Sequence, residues 1–243
     1  MSLMKPNDLK LARVARGLSQ TEASSRLGLS QPYLAMLESG KRPLTRKLAR
    51  HVMQVYGLRP TVLPAPDQTE ARPRADASRF LAESLSTLGY PGFRHLRSRR
   101  WKKNPADVLL AALVQEELDP RVVEALPWLL FYYWDLDRNW LVRQAKLHDV
   151  QNRLGFLTSL ARKLAEKLAP QDRQRVAALE ELEAALGRSR LAHEDLFFSR
   201  ALPHRERQWL EVNRSEEARY WNVLTDWKLE HLPYSNESAV AVG

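Results

Sequence analysis

The chain contains no cysteine, so neither a disulfide nor a thiolate-bound metal is open to it. Its six histidines, His51, His95, His148, His193, His204 and His231, are scattered without ligand spacing. There is no His-Glu-x-x-His pair, no phosphate-binding loop and no nucleophile elbow. The one acidic-histidine cluster, His193-Glu194-Asp195, reads as a polar turn between helices. These absences predict a protein that is not an enzyme and uses neither metal nor cofactor. Long apolar runs are missing as well. The longest, Ala125 to Trp134, is broken by Pro127 and is about half of what a membrane helix requires. The N-terminus carries no apolar signal region. The expectation is a soluble, cytoplasmic protein with no membrane partner. Strand signals and fixed-period repeats are also lacking, so the predicted fold class is all-α.

What is present is an uneven charge. The chain of 243 residues carries 38 Lys/Arg against 29 Asp/Glu, a net +9. Residues 1–66 hold 11 basic and 3 acidic side chains, whereas residues 67–243 hold 27 and 26. Nearly all the excess therefore sits in the first quarter, which is an electrostatic footprint for phosphates.

That first quarter is also the most densely punctuated. A short helical pattern over residues 8–16 places Leu9, Ala12 and Ala15 on one side and ends at Gly17. Ser19-Gln20-Thr21-Glu22 is a capping box, which predicts a helix from Gln20 to about Leu27, with Gly28 as a tight turn. Ser30 caps a second helix that tolerates Pro32 in its first turn and runs to about Ser39. Thr45 caps another, ending near Tyr56 with Gly57 as its stop signal. Four prolines, Pro60, Pro64, Pro66 and Pro73, then mark a semi-rigid linker. The predicted organisation is an N-terminal four- to five-helix domain over 1–58, a linker over 59–78 and a C-terminal helical domain over 79–243.

In the C-terminal part, Asn104-Pro105 and Asp119-Pro120 are cap-then-proline helix starts, and Val108 to Val114 is apolar all round. A long helix is expected from Asp137. Within it Leu147, Val150, Leu154, Leu157, Ala161, Leu164 and Leu168 alternate three and four apart, the spacing of a heptad seam that either pairs two copies of the chain or packs inside its own domain. Gln151, Asn152, Arg153 and Gly155 interrupt that helix, either as a register-setting polar layer or as exposed surface, with Gly155 allowing a close approach. Val176 to Leu186 marks another helix, closed by Gly187. A last one is expected over Glu206 to Leu232, with Tyr220, Leu224 and Trp227 as one stripe. All seven tryptophans lie beyond residue 100 and suit either a core or an aromatic partner groove. Arg94 to Lys103 contains Arg94, Arg97, Arg99, Arg100, Lys102 and Lys103 and no acid. It reads equally as a functional patch, either a second nucleic-acid contact or a pocket for an acidic partner, and as a solvated loop before the Asn104 cap.

Leu18 to Ala23, Leu27 to Leu34 and the exit Leu37-Glu38-Ser39-Gly40-Lys41-Arg42-Pro43 together resemble the XRE family, the phage-repressor type of helix-turn-helix. The resemblance covers residues 8–58. It implies a DNA-binding transcription regulator that meets a double-stranded operator. A single module of this kind reads only a few base pairs, so a homodimer is expected, with its contact in residues 79–243. Independently of the resemblance, Ala23, Leu27, Leu29, Leu34 and Leu37 can fill a small core and offer the second helix to a major groove. Gln31 opens that helix and can pair with an adenine edge. Pro32, Tyr33, Ala35 and Met36 share its outward side, although Pro32 lacks the polar group often found there. The family pattern places phosphate contacts on Gln20 and on Ser39, Lys41 and Arg42. Arg13, Arg46 and Lys47 are further candidates.

The block Val122 to Leu164 resembles C-terminal domains of bacterial helix-turn-helix regulators encoded beside nucleotidyltransferase-like toxins. That implies an autoregulatory repressor acting as an antitoxin, with a cognate toxin protein as partner. The competing expectations are a stand-alone regulator that senses a small molecule and an enzyme or RNA-binding factor that uses the N-domain for targeting.

Overall fold

The computed structural model describes residues 6–63, 73–96 and 102–236. Among these residues the fold is all-α, with twelve α-helices and no strand beyond an isolated bridge between Asp195 and Val223. None of these helices is long and apolar enough to cross a membrane. The chain divides into two compact units, one taking residues 6–63 with 102–107 and the other 73–96 with 108–236.

The first unit contains α1 (Pro6–Ala15), α2 (Gln20–Leu27), α3 (Gln31–Glu38) and α4 (Arg46–Tyr56). Three of these begin on a hydroxyl cap. Ser19, Ser30 and Thr45 accept from the backbone amides of Glu22, Tyr33 and Leu48 at 3.2, 3.4 and 3.3 Å. Glu22 returns to accept from the Ser19 amide at 2.8 Å, which completes the capping box. Gly28 ends α2 and Gly57 ends α4 in the left-handed conformation, with φ of 63° and 59°. Leu9, Ala23, Leu27, Leu34, Leu37, Val52 and Tyr56 form the core. On α1 the buried stripe differs from expectation: Ala15 is exposed and Arg13 is buried.

The boundary of this unit also shifts. Residues 59–63, expected to be linker, pack into it. Pro60–Val62 is a 3-10 turn with Pro60 buried, and Leu63 sits against Ala49 and Met53. The Asn104 side-chain amide donates to the Leu63 carbonyl at 2.5 Å, while its oxygen accepts from the Ala106 amide at 2.9 Å. Of the rest of the expected linker, residues 64–72 lie outside the described residues, 73–76 are irregular, and the next helix already starts at Ala77.

The later helices are α5 (Ala77–Leu88), α6 (Pro105–Leu113), α7 (Pro120–Tyr132), α8 (Arg138–Leu147), α9 (Gln151–Leu168), α10 (Arg173–Gly187), α11 (His204–Asn213) and α12 (Glu216–Tyr220). The second unit is built around α9, which buries 12 of its 18 residues and packs on α7 and α10. The helix expected to run unbroken from Asp137 is two helices. The break falls at residues 148–150, where Asp149 is left-handed at φ 54°. Leu147 consequently leaves the seam and is 69% exposed. The remaining seam residues Val150, Leu154, Leu157, Ala161 and Leu164 are buried inside their own unit, and Leu168 is half-buried. The seam is therefore internal core and not a contact between copies.

The polar interruption of α9 is also interior. Asn152 donates to the Leu191 carbonyl at 3.0 Å and accepts from the Leu191 amide at 2.8 Å. Arg153 grips Asp195 at 2.9–3.1 Å, donates to the carbonyls of Leu113 and Gln115 at 2.7 and 2.6 Å, and lies 4.4 Å over the Phe198 ring. Gly155 admits the indole of Trp221; a Cβ there would come within 2.4 Å of that ring. Trp221 is fully buried and donates to Ser159 Oγ at 2.8 Å.

The last expected helix is not continuous either. The chain leaves α12 at Trp221, and Asn222 is left-handed at φ 52°. Tyr220 is 49% exposed while Leu224 is buried, so the two do not share a stripe. Beyond it, the chain returns to α7. Pro127 removes a donor from the middle of that helix. The Tyr234 hydroxyl enters the helical ladder beside it, accepting from the Trp128 amide at 3.0 Å and donating to the Glu124 carbonyl. Trp128, Trp140 and Trp221 are all buried, as core residues rather than an open aromatic groove.

Candidate nucleic-acid interface

The short turn through Gly28 sets α3 against α2, with Leu34 and Leu37 inward on α3. That orientation leaves Gln31, Pro32 and Met36 exposed and Tyr33 and Ala35 half-buried. Tyr33 also packs against the core, so part of its ring is structural. The expected outward face is thus assembled on one helix.

Behind it runs a chain of polar side chains. Glu38 lies on the inward side of α3, and its side chain is 3% exposed. Arg13 Nε donates to Glu38 Oε1 at 2.7 Å, and its Nη2 donates to Oε2 at 3.1 Å. Arg13 Nη1 closes on the Leu18 carbonyl at 2.8 Å. Gln20 Nε2 donates to Glu38 Oε2 at 2.8 Å, and Gln31 Nε2 donates to Gln20 Oε1 at 2.7 Å. An ionised carboxylate only accepts. Glu38 therefore fixes which end of the Gln20 amide faces it, and Gln20 in turn fixes the amide of Gln31. Gln31 keeps its carbonyl oxygen and one N–H for an incoming group. That donor-acceptor pair is the complement of an adenine edge in the major groove.

The Glu38 carboxyl is kept ionised. Burial pushes it up, but the hydrogen bonds from Arg13 and Gln20 and the charges of Arg13 and Lys10 outweigh this, and it titrates below the ordinary glutamate value. Arg13 is held above its usual value, chiefly by the hydrogen bond to Glu38.

The expected phosphate contacts separate into two groups. Lys41, Arg42 and Lys47 are exposed around the end of α3 and the start of α4. Ser39 is exposed and its hydroxyl donates to the Met36 carbonyl at 3.2 Å. Gln20 has committed its oxygen and one N–H, which leaves one N–H for a phosphate. Arg13 is a correction: its guanidinium is buried and consumed by Glu38 and Leu18, so it stiffens the domain instead of meeting phosphate. The Arg46 side chain lies outside the described residues.

The basic run 94–103 is divided. Arg94 belongs to the second unit, Lys102 and Lys103 to the first, and Arg97, Arg99 and Arg100 fall outside the described residues.

Two residues escaped the sequence reading. Glu38 shares a stripe with Leu34 and Leu37, and an acid on a buried stripe demands a cation; that signal was available. Arg16 donates to the carbonyls of Tyr56 and Gly57 at 2.5 and 3.2 Å, satisfying the end of α4. Nothing in its local sequence announces a partner 40 residues away.

Residues 9–63 match a family model described as Helix-turn-helix, which covers less than a quarter of the chain. Neither a curated protein nor a solved structure matches. The match spans the four helices α1 to α4, three of them hydroxyl-capped, and the 3-10 turn behind them. Residues 9–63 are a helix-turn-helix domain of the XRE type, the DNA-binding module of transcription regulators.

Proposed function

We propose that the chain is a transcription regulator that binds the operator of its own operon in two copies, and that its second unit holds a partner protein, the arrangement of an antitoxin with its toxin. The observation that carries the DNA part is the Arg13–Glu38–Gln20–Gln31 chain, which orients one amide at the start of an exposed helix beside Lys41 and Arg42. Gln31, Pro32, Tyr33, Ala35 and Met36 face the base edges in this reading, while Gln20, Ser39, Lys41, Arg42 and Lys47 take phosphates. A single module of this size reads only a few base pairs, which favours paired copies on a two-fold site. The work of the protein is binding rather than catalysis, in the compartment that holds the DNA. An open cleft on the second unit supports a protein partner over a small ligand, because small-ligand sites enclose most of what they hold.

Footprinting on the DNA upstream of the protein's own gene tests this. The parent should protect two half-sites about one helical turn apart. Gln31→Ala should relax base preference at one position per half-site, by about 1–3 kcal/mol. Lys41→Ala should weaken all sequences alike and reduce the salt slope by about 1. Absence of a protected site, or equal loss of specificity in both variants, would overturn the reading.

A further inference from the structure

Outside the DNA-binding unit, α8 and α10 flank an open cleft of about 690 Å³. Its apolar lining is aliphatic: Val142 and Leu147 from α8, and Ala184 and Ala185 from α10. Leu147 was stranded there by the break at Asp149, and at 69% exposed it is a large apolar side chain with little over it. The two alanines keep the α10 side low, so another backbone can come close.

The rim is cationic. Arg143 and Lys146 stand on the α8 side and Arg188 just past the end of α10, all exposed. None of the three has an acidic partner among the described residues. The fourth rim cation, Arg138, is already paired with Glu181, the one acid in the lining. This is a local concentration, because residues 67–243 as a whole are nearly balanced, with 27 basic and 26 acidic side chains. Unpaired cations gathered along one cleft raise the positive potential there.

Two features together select the occupant. The cations call for carboxylates or phosphates, whereas the exposed leucine and its aliphatic neighbours call for apolar side chains. A phosphate backbone supplies no partner for Leu147 or Val142. A helix with an apolar stripe flanked by acids supplies both, seating the stripe on the apolar lining while its carboxylates reach α8 on one wall and Arg188 on the other.

We propose that the α8–α10 cleft is the docking surface for an acidic amphipathic helix of a partner protein. This rests on the partner-binding half of the proposed function and is independent of the DNA half. The probe is a fluorescein-labelled peptide of roughly 16 residues, long enough to form a marginal helix. It has leucines spaced three and four apart and glutamates between them. Its control is a shuffled peptide of identical composition. Fluorescence anisotropy with the full chain should give a micromolar dissociation constant for the patterned peptide and at least roughly tenfold weaker binding of the shuffled one. Arg143→Glu with Arg188→Glu, and separately Leu147→Ser, should each weaken the patterned peptide about tenfold or more. These side chains are exposed, so native tryptophan emission should persist in every variant; Arg143→Gln with Arg188→Gln is the milder pair and should give an intermediate loss.

Equal binding of patterned and shuffled peptides, undiminished binding by the variants, or no binding up to about 1 mM would overturn the proposal. So would an equal loss of affinity for a random-sequence DNA duplex, since the cleft would then be a nucleic-acid surface. A parent chain that binds the peptide but protects no operator would instead sink the regulator reading and leave the cleft standing.

Discussion

The two units place their left-handed residues differently. In the first, every described residue with positive φ is a glycine: Gly17, Gly28, Gly40 and Gly57. In the second, Gly89 is joined by Asp149, Phe197, Phe198 and Asn222. A glycine reaches that conformation without a steric penalty and announces it in the sequence. A phenylalanine is held there against a cost of about 1–3 kcal/mol, and only tertiary contacts can hold it. Here the Asp195 carboxylate accepts from the Phe197 amide at 2.7 Å, the Phe197 ring packs edge-on against Phe156 at 5.1 Å, and Phe198 lies under the Arg153 guanidinium. The first unit thus turns on local signals, and the second turns on pins made about 40 residues away in sequence.

The sharpest way to break this contrast is to remove a pin. Arg153→Ala should destabilise the second unit by about 3–5 kcal/mol, because Asp195 would remain buried without its cation. Six of the seven tryptophans, from Trp128 on, belong to the second unit, so urea unfolding followed by tryptophan emission reads chiefly this unit. In a cycle with Asp195→Ala the two losses should be strongly non-additive. Additive losses would mean that the left-handed turn is held by something other than this pair.

Gly155→Ala gives a smaller effect whose sign is the test. In an unencumbered helix interior the change stabilises by about 0.5–1 kcal/mol. Against the Trp221 ring, 2.4 Å from the new Cβ, it should instead cost about 1–3 kcal/mol through overpacking. A stabilised variant would show that α9 and Trp221 can part freely. In the first unit, Glu38→Gln should cost about 1–3 kcal/mol by leaving the Arg13 charge buried without an opposite charge. Its pH dependence follows from the lowered titration of Glu38. A carboxyl depressed by folding adds stability that is fully present above its unfolded value, about 4.3, and is lost as pH falls through the folded value. Hydrogen exchange of α2 and α3 amides should therefore accelerate below that point in the parent and change less in the variant.

How much could be read from sequence follows the same division. The bounds of α2, the outward face of α3 and the cap residues Ser19, Ser30 and Thr45 were all legible, since each signal and its effect lie within four residues. Arg13 was misassigned because a basic residue on a basic domain looks like a phosphate contact until its partner, 25 residues on, is located. The long helix expected from Asp137 failed at the left-handed Asp149, and the one expected from Glu206 failed first at the extended Arg214 and the Ser215 cap and again at Trp221 and Asn222, because apolar periodicity continues across each break. The heptad spacing itself was sound, but spacing identifies a buried face without saying whether the same chain or another one covers it.

The smallest effect concerns whether local signals are really sufficient in the first unit. Ser19→Ala removes the acceptor for the Glu22 amide and the hydroxyl that donates to the Glu22 carboxylate at 2.7 Å, while Glu22 can still accept from the residue 19 amide. Half of the capping box is lost and half is kept. The expected cost is about 1 kcal/mol, the usual loss for replacing a serine N-cap by alanine. It should appear as faster hydrogen exchange over the first turn of α2, with tryptophan-monitored unfolding of the second unit unchanged. The Glu22 carboxyl, held low chiefly by the Ser19 side chain, should titrate closer to its ordinary value in the variant. A cost of several kcal/mol would mean that the cap acts through the adjoining Gln20–Glu38 chain, and that even this unit depends on distant contacts. No measurable cost would mean that Leu27, Leu34 and their neighbours hold α2 without its cap.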